Sequence, residues 1–235
     1  MNTRHGPRSV PGWKSLLAGC LTLSALSTAQ ADALLDQGKK IYTQGIEGAP
    51  ACLACHGAQG EGSAAANFPY LAGQGAAYLR EQLQSLADGG RQNAIMKPIA
   101  SALSAQQRQA VTAYIVSLPS PWDPAKLSAL AQTYPDAKDA GAWLANRGDW
   151  SRQVPACTQC HAAGGVGVGE RFPAIAGLSK TYIVEQFKLW RQGQRPDGPG
   201  ELMGGIAKRL DDAQIEAVAT YFAGLPQTAS TGAQP

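Results

Sequence analysis

The sequence predicts an all-α fold of two tandem small helical domains, and three observations carry the prediction. The chain repeats itself at a nearly constant offset. Apolar residues recur at helical spacing behind recognisable capping residues, and no run alternates with period two for long enough to call a sheet. Each repeat holds one Cys-x-x-Cys-His motif near its start.

The repeat can be followed along most of the chain. Cys52-Leu53-Ala54-Cys55-His56 returns as Cys157-Thr158-Gln159-Cys160-His161. Phe68-Pro69-Tyr70-Leu71-Ala72-Gly73 returns as Phe172-Pro173-Ala174-Ile175-Ala176-Gly177. Tyr78 with Glu81-Gln82 returns as Tyr182 with Glu185-Gln186, and Met96 returns as Met203. Tyr114 with Leu118-Pro119 returns as Tyr221 with Leu225-Pro226. Two domains follow, at 32–119 and 135–226, each of a size that can fold alone. Between them, 120–134 is a proline-rich linker. Pro119, Pro121 and Pro124 stop the preceding helix and stiffen the connection. The small, polar residues 227–235 read as a disordered tail.

The helices of each half have legible marks. A first helix carries Gly38, Ile41 and Tyr42 in one copy and Gly141 and Leu144 in the other. A middle helix begins near Tyr78 and near Tyr182. The last helix presents Val111, Tyr114, Ile115 and Leu118, matched by Val218, Phe222 and Leu225. Ser104 with Gln107 and Asp211 with Gln214 fit capping boxes at its start.

Residues 1–31 read as an export signal. Arg4, Arg8 and Lys14 precede an apolar stretch from about Leu16 to Leu26, and Ala29-Gln30-Ala31 is a small-x-small cleavage site. The apolar run is too short to span ~30 Å of hydrocarbon. Cleavage after Ala31 would deliver the chain to the periplasm. Leu17-Ala18-Gly19-Cys20 also resembles a lipoprotein box, which leaves lipidation of Cys20 as an alternative. Removing the signal takes three basic and no acidic residues, leaving 17 basic against 17 acidic side chains. There is then no net basic charge to draw nucleic acid or an anionic membrane, although loose membrane association stays open.

Four cysteines remain after the signal, as two C-x-x-C pairs. Disulfides, a redox dithiol or half a zinc site are each compatible with such pairs. The histidines decide. Outside the signal there are two, His56 and His161, and each directly follows the second cysteine of a pair. C-x-x-C-H is the attachment sequence of c-type haem. Cys52 and Cys55, then Cys157 and Cys160, would bind two covalent haems through thioethers, with His56 and His161 as axial ligands to iron. A helical turn lets both thiols and the imidazole approach the porphyrin from one side.

The sixth ligand falls to methionine. Excluding Met1, only Met96 and Met203 exist, one per half. Both sit between the middle and last helices, where a loop can fold over the other face of the haem. A thioether is a soft ligand that favours ferrous iron. Lys97 and Lys208 are the nearest alternative donors. A ligating imidazole usually donates its free N–H to a carbonyl, and the carbonyls of Pro69 and Pro173 are candidates.

With these motifs in hand, the chain resembles the dihaem cytochrome c4 family, two class I cytochrome c domains in one chain. The resemblance runs from about Asp36 to Pro226. It implies a three-helix core around each haem, with first and last helices crossing at Gly38 against Tyr114 and Gly141 against Tyr221. It also implies haem propionates that approach one another between the domains. Family members carry electrons from a quinol-oxidising complex or dehydrogenase to an acceptor such as a terminal oxidase. The expected function is therefore electron transfer between redox partner proteins, without catalysis. A dedicated cytochrome subunit of one periplasmic dehydrogenase is the alternative. A haem enzyme, such as a peroxidase or sulfur-compound oxidase, is a third reading, disfavoured because the mature chain has no spare histidine or cysteine. The segments Gly57–Gly62 and Gly164–Gly169 differ in sequence, so the two haems are expected to differ in potential.

Overall fold

The computed structural model describes residues 30–131, 134–196 and 202–226. The expected signal through residue 29, with Cys20, and the expected tail 227–235 lie outside the described residues. Eleven α-helices form among the described residues, with isolated β-bridges in place of a sheet. The first half contains α1 (30–44), α2 (Leu53–His56), α3 (Ala76–Ala87), α4 (Met96–Ala102) and α5 (Ala105–Ser117). After the connecting α6 (Pro124–Ala131), the second half repeats the order. It runs α7 (Ala140–Arg147), α8 (Thr158–His161), α9 (Lys180–Arg191), α10 (Leu202–Arg209) and α11 (Asp212–Ala223). No helix among the described residues is long and apolar enough to cross a membrane.

The last helix of each half starts where its capping box requires. The Gln107 amide N–H donates to Ser104 Oγ at 3.2 Å, and the Ser104 N–H donates to Gln107 Oε1 at 2.8 Å. Asp211 and Gln214 repeat the exchange at 2.9 and 3.1 Å. Each pair satisfies amide groups that a helix start otherwise leaves unpaired.

First and last helices meet where glycine allows it. A Cβ on Gly38 would drive into the Ala110 carbonyl and lie 2.9 Å from Tyr114 Cβ. One on Gly141 would meet the Ala217 carbonyl and lie 3.1 Å from Tyr221 Cβ. The helix backbones therefore touch at the crossing. Below it, Ile41, Tyr42, Leu79, Leu103, Val111 and Ile115 form the first core. The second core gathers Leu144, Val154, Ile183, Phe187, Ile215, Val218 and Phe222.

The proline-rich connection is packed at both ends. Trp122 is buried edge-on against Tyr70 of the first half, with ring centroids 4.5 Å apart. Leu127 of α6 is buried in the second core, and its backbone lies so close to Gly164 that a side chain there would collide. The two halves also bond directly. Buried Gln74 donates to the Ala174 carbonyl at 2.9 Å and accepts from the Ala174 N–H at 3.0 Å. The Tyr78 N–H donates to the Glu170 carbonyl and the Gln92 N–H to the Gln194 carbonyl, both at 2.8 Å.

Gly141→Ala should force α7 from α11 and cost ~1–3 kcal/mol, the usual range for overpacking a close contact. Denaturant unfolding of the holoprotein, followed by circular dichroism, measures the loss.

Candidate functional site

Each Cys-x-x-Cys-His motif is a single helical turn. Cys52 and Cys157 stand at the N-caps of α2 and α8. The His56 N–H donates to the Cys52 carbonyl and the His161 N–H to the Cys157 carbonyl, both at 2.9 Å. That bond closes the turn and holds two thiols and an imidazole within five residues. None of these four cysteines forms a disulfide, and all are half-buried. Before any attachment, burial pushes the Cys52 thiol up to about 11 and the Cys157 thiol to about 12. Among the described residues, no group of three or more His, Cys, Asp or Glu is placed to hold a metal ion, so a zinc site is not assembled.

The chain then loops back to aim the histidine. His56 Nδ1 lies 2.8 Å from the Pro69 carbonyl, and His161 Nδ1 lies 2.7 Å from the Pro173 carbonyl. A carbonyl can only accept, so Nδ1 carries the proton and Nε2 keeps its lone pair. Burial lowers the affinity of both imidazoles for a second proton, against the opposing pull of the carbonyls. In the second half the Arg195 charge adds to the lowering.

The same backbone bonds build both loops despite their different sequences. The Gly62 N–H donates to the His56 carbonyl, and the Gly167 N–H to the His161 carbonyl, both at 2.8 Å. The Gly60 carbonyl accepts from Leu71 and Ala72, as the Gly165 carbonyl does from Ile175 and Ala176. One position differs in strain. After His56 the chain turns through Gly57 at φ 81°, ψ 159°, but after His161 it turns through Ala162 at φ 63°, ψ 166°. A side chain seldom occupies that region.

Met96 and Met203 are carried by separate elements. Met96 is the first residue of α4 and Met203 the second of α10. The sequence places them in loops, but each lies in the first turn of a short helix. At Met96 the reason is local, because Asn93 Oδ1 accepts from the Met96 and Ile95 amides at 2.8 and 3.0 Å and starts the helix. Both methionines are half-buried, and Met203 packs on the second core.

Haem fits the rest of the pocket chemistry. Buried Tyr70 Oη and Trp190 Nε1 have no hydrogen-bond partner among the described residues. Arg91 and Arg195 are buried between the halves. These buried donors are a set that the carboxylates of an acidic prosthetic group could satisfy. Sequence reasoning missed Gln74, Arg91, Trp190 and Arg195. Only the arginines left a signal, since they recur at the same offset of 104 as Tyr78 and Tyr182.

The cytochrome c family model matches residues 35–119 and 151–226. Cytochrome c4 from Pseudomonas aeruginosa is 36% identical over 207 residues, covering 87% of this chain and 94% of the relative. The chain belongs to the dihaem cytochrome c4 family. Two haem c groups are accordingly attached, through Cys52 and Cys55 and through Cys157 and Cys160. The cytochrome is an electron carrier, as its relatives are.

Two further relatives bear the name thiosulfate dehydrogenase electron acceptor. The one from Stutzerimonas stutzeri is 45% identical over 213 residues, covering 90% of this chain and 94% of the relative. The one from Thiomonas intermedia is 46% identical over 178 residues, covering 76% and 80%. Among solved structures, reduced cytochrome c4 from Pseudomonas stutzeri is similar at a TM-score of 0.63 and 32% identity. It covers 82% of this chain and 98% of its own. Thiosulfate dehydrogenase from Marichromatium purpuratum is similar at a TM-score of 0.70 and 37% identity. That match covers 82% of this chain but 40% of the enzyme's.

Ala162→Gly should relieve the strained turn after His161 and stabilise the cytochrome by ~1 kcal/mol, net of the flexibility glycine adds to the unfolded chain. A higher melting temperature with an unchanged haem spectrum is the expected result.

Proposed function

We propose that this cytochrome is the dedicated electron acceptor of a periplasmic dehydrogenase that oxidises thiosulfate. One observation carries the reading. Relatives named as acceptors of thiosulfate dehydrogenase are 45% and 46% identical to it over the aligned residues, against 36% for cytochrome c4 of Pseudomonas aeruginosa. The similarity to part of a thiosulfate dehydrogenase chain agrees with it. Among the sequence-based alternatives, this favours a dedicated partner over a general respiratory shuttle.

In this reading the chain is exported, with cleavage after Ala31, and works in the periplasm. His56 with Met96 would hold the iron of one haem, and His161 with Met203 that of the other. Bound haem supplies a one-electron couple between ferric and ferrous iron. The polypeptide does the remaining work. The Pro69 and Pro173 carbonyls hold each imidazole in the tautomer that presents Nε2. The two helical cores shelter the motif turns from water. With histidine and methionine both held to iron, the chain would leave no coordination position for a substrate.

Thiosulfate alone should leave the oxidised cytochrome unchanged. A catalytic amount of thiosulfate dehydrogenase should then reduce both haems, read by stopped-flow absorbance. If quinol-oxidising complexes reduce it readily and the dehydrogenase does not, the reading fails.

The ligand assignment has its own test. Met203→Ala should keep its haem covalently attached but let carbon monoxide bind one ferrous iron. A ferrous spectrum and carbon monoxide response identical to the parent's would remove Met203 as a ligand.

A further inference from the structure

Two like charges lie buried side by side between the domains. Arg91 follows α3 and Arg195 follows α9, at equivalent points of the repeat. Their exposures are 8% and 7%. Each reaches across into the other half. Arg91 donates through Nη1 to Gln82 Oε1 at 2.8 Å, and through Nη2 to Tyr182 Oη at 2.9 Å and Gln186 Oε1 at 2.8 Å. Arg195 donates through Nη1 to Gln186 Oε1 at 2.9 Å, and through Nη2 to Tyr78 Oη at 3.2 Å and Gln82 Oε1 at 3.3 Å. The two guanidiniums therefore share the same pair of glutamine carbonyls.

Every one of these partners is neutral. Among the described residues neither arginine pairs with a carboxylate. Glu81, the residue before Gln82, is half-buried and paired with Arg171, while exposed Glu185 meets Asn67. Burying a guanidinium without an anion costs several kcal/mol, and a second positive charge beside it adds repulsion. Burial and the Arg91 charge both push the Arg195 guanidinium below its ordinary value. Such a pair persists in a folded chain when something negative completes it. Two further buried donors mark the same neighbourhood. The Arg195 guanidinium stacks 4.2 Å from the centre of the Trp190 ring, whose Nε1 is unpartnered. Buried Tyr70 Oη, also unpartnered, lies within electrostatic reach of Tyr78 and Tyr182.

The prosthetic groups supply the missing charge class, because each haem carries two propionate carboxylates. We propose that Arg91 and Arg195 form one shared clamp on the propionates of both haems, so that each arginine sets the potential of both haems rather than of its own. A positive charge near iron favours the ferrous state. The clamp thus holds both potentials up and ties their values together. The inference rests on the presence of two haems and is independent of which protein donates the electrons.

The test is a spectroelectrochemical titration of the purified holoprotein, after its haem content has been confirmed as two. Arg91→Met should lower both midpoint potentials, each by about tenfold in the reduction equilibrium or 59 mV for a one-electron couple. Arg91→Lys should recover most of the shift. Arg171→Met, which removes an exposed charge, should move neither potential appreciably. Gln74→Leu loosens the domain contact without removing charge and separates electrostatics from docking. If Gln74→Leu lowers both potentials as far as Arg91→Met does, the clamp is refuted. A shift confined to one haem, or no shift, refutes it as well. Should Arg91→Met fail to fold, Arg195→Gln is read by the same criteria.

Discussion

A backbone carbonyl 2.7 to 2.8 Å from a histidine ring nitrogen is the contact on which each half of this cytochrome is organised. It fixes which nitrogen carries the proton and therefore which one is free to face iron. It also closes the loop between the motif turn and the Phe-Pro segment. The glycines at positions 60 and 165 hold that loop by accepting paired amides, and glycines 62 and 167 tie it back to the histidine carbonyl. The helices then enclose a unit whose chemistry is already arranged.

The repeat makes two such units, and the structure makes them unequal in detail. The strained Ala162 stands where the first half has Gly57. Trp190 occupies the place of Leu86 in the repeat and brings an indole N–H toward the domain boundary. Arg195 acts electrostatically on His161, with no counterpart acting on His56. These differences sit close to the motifs and give a physical basis for two haems of unlike potential within one fold.

The connection between the units is more than a tether. Trp122 seats on Tyr70, Leu127 enters the second core, and Gln74 makes a two-point contact with Ala174. Apolar burial and backbone hydrogen bonds together hold the halves in one relative orientation. A relay between two redox centres needs such a fixed separation. The buried arginines lie inside this contact, where water is excluded and charge acts over longer distances.

The sequence by itself determined whatever depends on neighbours in the chain. A histidine directly after C-x-x-C, a capping pair three residues apart and a helical apolar stripe are local patterns whose physics acts over one or two turns. Cys52 to His56 and Ser104 with Gln107 were legible for that reason, while the Gly38 and Gly141 crossings came from the family resemblance. The partners Pro69 and Pro173 were legible too, because the Phe-Pro segment recurs 13 and 12 residues after the histidines. Only the tertiary structure decided what happens between the halves. It set Arg91 against Gln186, Trp122 on Tyr70 and Leu127 beneath Gly164, and it turned the methionine segments into short helices. Those contacts join residues far apart in the chain, and their energy comes from burial and desolvation, which no short stretch of sequence records.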